Sequence, residues 1–139
     1  MSPSPRTRSL MQRRILYANG FWWLVDSEPY RKINLAPRFS LCDWNIGRLC
    51  KSLGLGKRTF TRLVEDGLGI TAKRWLREIR ISIACHLLRE DGKIETVVRT
   101  LGFKHVSNFT HEFRKIIGVS PSHYVKGEYS RSTGYVVPH

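Results

Sequence analysis

A chain of 139 residues with 41% apolar content suits one compact unit or two very small ones. Its 24 Lys and Arg against 11 Asp and Glu leave a formal charge of +13, which points to a polyanionic partner, although surplus charge alone also serves solubility or attraction to ribosomes and membrane surfaces. Three cysteines make neither a disulfide framework nor a zinc cluster, and no apolar run reaches the roughly 18 residues of a spanning helix, so no metal, cofactor or membrane partner is expected.

Residues 1–14 hold Pro3, Pro5 and four arginines and predict a disordered basic arm. The stretch 15–25 behind it faintly resembles a secretion signal or a transit sequence, but Asn19-Gly20 breaks the apolar run and no small-residue cleavage site follows. Residues 15–41 contain Phe21-Trp22-Trp23-Leu24-Val25, punctuated later by Pro29 and Pro37. This pattern fits a short strand or a short helix, and 1–41 as a whole is expected to be an irregular N-terminal extension. Helical periodicity begins near Asp43. Either Asp43 or Asn45 caps a helix to about Leu53, and Gly54 ends it. A second helix is expected from about Arg58 to Asp66, burying Phe60, Leu63 and Val64, with Gly67 and Gly69 as stops. Thr71 caps a long helix over 72–90 with an apolar stripe of Trp75, Leu76, Ile79, Ile83 and Leu87, and Ala84 and Leu88 beside it. Further helices are expected over about 94–101, 107–117 with Ser107 as a candidate cap, and a short last one from Ser120-Pro121. Residues 128–139 read as a loose tail.

Two parts of this series match each other. Cys50-x₃-Gly54-Leu55 and Val98-x₃-Gly102-Phe103 each place a small or medium residue four positions before a glycine and an apolar residue after it. Each is followed by a polar turn and a helix closing on Gly69-Ile70-Thr71 or Gly118-Val119-Ser120. The offsets are 48 residues at the first glycine and 49 at the second. The expected fold is therefore all-α: two helix-turn-helix subdomains, about 43–71 and 93–126, joined by the connecting helix 72–90 within a domain spanning 42–127. In a helix-turn-helix the second helix enters the major groove, and the tight turn needs a residue that tolerates positive φ. A connector of about 19 residues at 1.5 Å each spans roughly 28 Å. That length approaches the roughly 34 Å between successive major-groove faces, so two heads would engage neighbouring grooves.

Residues Asp43 to Val125 resemble the DNA-binding domain of the AraC/XylS family of bacterial transcription regulators. The resemblance is carried by Arg58-Thr59-Phe60-x-Arg62, Arg80-x₃-Ala84-x₂-Leu87-Leu88, Ser107-x-Phe109-x₃-Phe113-Arg114-Lys115 and Gly118-Val119-Ser120-Pro121-x₂-Tyr124. It implies transcription control, often through contact with RNA polymerase, in the bacterial cytoplasm at the nucleoid. Cys50 and Val98 stand where the family usually has alanine, and His111 where it usually has arginine. About 42 residues precede the match, fewer than a sensor domain of that family needs, so the chain reads as a stand-alone or truncated member acting as a monomer.

The DNA-facing residues expected in the first head are Lys57, Arg58, Thr61 and Arg62, either on phosphates or on base edges, with Arg62 the main candidate for guanine. In the second head they are His105, Val106, Ser107, Asn108, Thr110 and His111, with Asn108 a reader of adenine and Val106 or Thr110 touching a thymine methyl. Lys73 and Lys104, with Arg74 and Arg77, are candidate phosphate clamps, and a solvated face explains them equally well. Arg80 is a candidate link between the two units through a buried pair with an acid. No catalytic set is evident: Cys85 and His86 are helix neighbours that diverge by about 100°, so no enzyme is expected. Alternatives to sequence-specific regulation are a non-specific or blocking DNA binder and a fragment of a DNA-repair regulator of the Ada type, which would need a four-cysteine zinc module.

Overall fold

The computed structural model describes residues 13–27, 30–90 and 92–127, which form two compact units, one up to Leu76 and one from Arg77. The basic arm at 1–12 and the tail at 128–139 lie outside the described residues. In chain order the described elements are β1 (Arg13–Ala18), β2 (Phe21–Ser27), β3 (Tyr30–Asn34), α1 (Ala36–Leu41), α2 (Ile46–Leu53), α3 (Lys57–Leu68), α4 (Ala72–Glu90), α5 (Ile94–Thr100), α6 (Val106–Ile117) and α7 (Pro121–Val125).

The all-α expectation is corrected by the first three elements. They form an antiparallel sheet in the order β1-β2-β3, so the described residues of 13–27 and 30–34 are not irregular, and Arg13 and Arg14 are not disordered. Asn19 and Gly20, both at positive φ, make the two-residue turn between β1 and β2. Trp22, Leu24 and Asp26 alternate inward, and Asp26 is held between its cross-strand partners Arg13 (2.9 Å) and Arg31 (2.7 Å). A buried carboxylate is tolerated only with such pairing.

The sheet belongs to the core of the first unit. Trp75 is almost fully buried and meets Trp22 edge-on at 5.4 Å, Phe39 at 5.7 Å and Phe60 at 5.9 Å. Strand β1 packs beside α3, whose Gly67 lies within the helix with the Ile15 carbonyl 4.0 Å from where a Cβ would stand. Gly67 is therefore no stop, and only Gly69, at φ 73°, ends α3. Pro37 sits in the first turn of α1, where its missing N–H is harmless. Between α1 and α2, Asp43 and Trp44 both take left-handed φ of 55°, an unfavourable conformation compensated where Trp44 stacks on Phe39 at 5.4 Å. The cap of α2 is Asn45, whose side chain accepts from the Arg48 N–H.

The second unit is built on an aromatic chain: Phe103 to Phe109 at 5.3 Å, Phe109 to Phe113 at 5.6 Å and Phe113 to Tyr124 at 5.5 Å. Helix α4 has the predicted bounds, and its buried residues lie on two faces, with the expected Ala84 and Leu88 on the second. Ala72, Trp75, Leu76 and Ile79 are buried at i, i+3, i+4 and i+7, and Ile81, Ala84, Cys85 and Leu88 repeat that spacing nine residues on, which is another face of the helix. Ile83 and Leu87 are only half-buried.

Candidate nucleic-acid interface

The two glycine turns are built by the same hydrogen bonds. After α2, Gly54 adopts φ 69°, its N–H reaches the Lys51 carbonyl at 3.2 Å and the Leu55 N–H reaches Cys50 at 3.0 Å. After α5, Gly102 adopts φ 75°, its N–H reaches Arg99 at 3.2 Å and the Phe103 N–H reaches Val98 at 3.0 Å. This six-to-one bond with a left-handed residue inside it closes a helix and releases the chain into the next. The helix that follows is closed alike in both units: Gly69 N–H to Glu65 at 2.9 Å and Gly118 N–H to Arg114 at 2.8 Å. Thr71 then caps α4 through the Arg74 N–H, and Ser120 caps α7 through the His123 N–H.

This shared framework puts α3 and α6 in the same register against their own cores. Phe60 and Phe109, 49 positions apart, are both fully buried, as are Val64 and Phe113. The opposite face of α3 carries Lys57, Arg58, Thr61, Arg62 and Glu65, and that of α6 carries Val106, Ser107, Thr110, His111 and Arg114, each set at spacings of one, four, five and eight. Thr61 and Thr110 are half-buried and the others exposed, Val106 to 44%. Asn108 is exposed as well.

The sequence-expected residues fall into distinct local roles. Thr61 donates its hydroxyl to the Lys57 carbonyl one turn back at 2.7 Å. Ser107 is not the cap of α6: the helix begins at Val106, His105 is the cap residue, and Ser107 sits inside the first turn. Lys104 is exposed in the turn before His105, which is itself exposed, and Lys73 is exposed in the first turn of α4. Arg77 is half-buried and paired with Glu112 of α6 at 3.2 Å. Arg80 donates from Nε and Nη2 to the Leu101 carbonyl, at 3.1 and 2.7 Å, and lies 3.7 Å over the Phe103 ring. It thereby closes the carboxyl end of α5 just where the turn into α6 starts. Two exposed positions, Glu65 and Arg114, are not among the residues expected from the sequence. Counting one further turn along each outward face identifies them.

The helix starts carry charge of an unfavourable sign. Neither α3 nor α4 has an acidic residue in its first turn, yet Lys57 and Arg58 open the one and Lys73 and Arg74 the other. Cations there oppose the helix dipole. Gly56 and His105 also give α3 and α6 no side-chain cap, whereas α2, α4 and α7 have one. The cysteines are structural in setting. All three are buried, burial raises the thiol pKa of Cys50 and Cys85, and burial with the Cys85 hydrogen bond pushes Tyr124 up to about 12. His86 faces Glu90 at 3.2 Å. Among the described residues no group of His, Cys, Asp or Glu could hold a metal, and no helix is long and apolar enough to cross a membrane.

Comparison with known proteins agrees with this geometry. A family model described as a helix-turn-helix domain matches residues 49–127. The chain is 30% identical over 89 residues to the HTH-type transcriptional regulator ExsA of Pseudomonas aeruginosa, covering 63% of this chain and 32% of that protein. It is 33% identical over 84 residues to the virulence regulon transcriptional activator VirF of Yersinia enterocolitica, covering 59% and 31%. An uncharacterized HTH-type transcriptional regulator of Mycobacterium tuberculosis is 35% identical over 117 residues, covering 83% and 31%. The chain thus spans about a third of the length of these relatives. Its fold is similar to the C-terminal domain of AraT, a response regulator from Geobacillus stearothermophilus, with a TM-score of 0.61 at 24% identity over 76% of this chain and 86% of that one. With its doubled glycine turns and the match over 49–127, the chain belongs to the AraC/XylS family of helix-turn-helix transcription regulators.

Proposed function

We propose that the chain binds double-stranded DNA sequence-specifically and regulates transcription, with α3 and α6 as recognition helices in adjacent major grooves. The observation that carries this reading is the register of the two outward faces: the same positions, 49 residues apart, are turned away from two equivalently built cores. The names of the relatives, two regulators and an activator, favour transcription as the process. Adjacent grooves are favoured by the unbroken length of α4, 19 residues or roughly 28 Å.

In this reading Lys57, Arg58, Thr61 and Arg62 form the contact face of the first head. His105, Val106, Ser107, Asn108, Thr110 and His111 form that of the second. Lys73 and Lys104 approach phosphates. Cations opening α3 and α4 are unfavourable for the isolated helices, and a phosphate there would meet both the side-chain charge and the free N–H groups of the helix start. The protein acts as a monomer in the cytoplasm on an asymmetric site, and RNA polymerase is a further partner in activation.

Selection from random duplexes tests the reading. The expected product is one asymmetric site of about two helical turns. Arg62→Ala is expected to bind it about 1–3 kcal/mol more weakly and to lose preference at one base pair. If no sequence is enriched, specific recognition is wrong. If a site is enriched but a reporter carrying it does not respond to the protein, the regulatory half of the proposal fails.

A further inference from the structure

The two outward faces are equivalent in position but not in chemistry. In the shared register Arg62 corresponds to His111, and Glu65 corresponds to Arg114. The first face therefore ends in a carboxylate where the second ends in a guanidinium. Glu65 lies three residues after Arg62 and four after Thr61, so the three side chains share one surface of α3. It is exposed, and its carboxylate forms no ion pair with the other described residues. Its backbone carbonyl serves the helix end by accepting from the Gly69 N–H.

A carboxylate on a DNA-facing surface is repelled by phosphates that carry one charge per roughly 1.7 Å of duplex axis. Inside the groove it is favoured against a hydrogen-bond donor. The major groove offers two, the N4 amino group of cytosine and the N6 amino group of adenine. The adenine amino group has the N7 acceptor beside it on the same base, which repels a carboxylate, and cytosine presents no such acceptor. Resting on the reading of α3 as a recognition helix, we propose that Glu65 is a specificity-determining residue that accepts a hydrogen bond from a cytosine N4 amino group in the half-site under α3. It acts by exclusion as much as by attraction. Guanine and thymine at that position would set an oxygen acceptor against the carboxylate, and Arg62 one turn back supplies the attraction that keeps the helix seated.

The test uses the full chain and its Glu65→Ala and Glu65→Gln variants in parallel selections from random duplexes. The parent is expected to enrich cytosine at one position of one half-site, with about tenfold discrimination over other bases. Glu65→Ala should lose preference at that position alone and bind the substituted duplexes as well as the original. Glu65→Gln should move the preference toward adenine, since a side-chain amide can pair with N6 and N7 together. If the parent enriches a site and both variants keep the same preference at every position, the role of Glu65 is overturned while sequence-specific binding stands. That role is equally overturned if Glu65→Ala simply binds all duplexes more tightly with discrimination unchanged, because the carboxylate then only repels. If the parent enriches nothing, the underlying reading of α3 fails instead.

Discussion

Arg80 shows how much a single side chain can hold in a small unit. Its guanidinium forks onto one carbonyl and covers an aromatic ring, two tasks that need a flat group with several donors. A lysine keeps the charge and loses the fork. Arg80→Lys is expected to destabilise the protein by about 1–2 kcal/mol, read as a lower urea midpoint with an unchanged slope. Equal midpoints would mean that the charge alone matters. From the sequence Arg80 reads as a link between the two units. Two of its donated bonds go to the Leu101 carbonyl in the turn of the second unit, which no spacing rule reveals because the acceptor is a backbone carbonyl 21 residues away. Asp26 is illegible for a similar reason. It occupies an inward position of β2 where an apolar residue is the ordinary expectation, and it is acceptable there only because Arg13 and Arg31 arrive from the two neighbouring strands.

At the scale of elements, the helices are legible wherever their signals are local. Thr71 and Ser120 cap the helices they are expected to cap, Asn45 is the one of two candidates that caps α2, and Gly54 takes the left-handed conformation its position requires. Nothing lies within 4 Å of a Cβ built on Gly54, so a side chain there meets backbone strain and no clash. Gly54→Ala should therefore lower stability by about 1 kcal/mol and Gly54→Asn by less, measured by thermal or denaturant unfolding. A neutral alanine would contradict the left-handed turn. The hairpin escapes a reading by periodicity although its strongest signal, Asn19-Gly20, is present. Phe21-Trp22-Trp23-Leu24-Val25 is apolar on both faces, so alternation is masked and the pair reads as a break in one run. Gly67 reads as a stop for the opposite reason. Glycine ends a helix only where the chain must turn, and at Gly67 the backbone of β1 lies alongside a continuing helix.

For the molecule as a whole, the surplus charge and the doubled motif lead to a further expectation. Lys73 opens α4 on an exposed turn, on a different helix from the outward face of α3, so it should contribute to affinity without reading sequence. Lys73→Ala is expected to weaken binding about equally on all duplexes and to reduce the steepness of log affinity against log salt by about one. A change in the preferred sequence would reassign it to base reading. The charge explains attraction to a polyanion but distinguishes no partner by itself, and only the repeated turn geometry narrows it.

What the sequence determined by itself is the pair of helix-turn-helix motifs, the bounds of the connecting helix and the family. These depend on capping groups, glycine turns and apolar spacings that operate within a few residues of each other. What the tertiary structure decided is the pairing of β1, β2 and β3 into a sheet, and the partners of Arg77, Arg80 and Asp26. Each of these depends on which distant segment packs alongside, and a period of 3.6 or 2 along the chain carries no information about that choice.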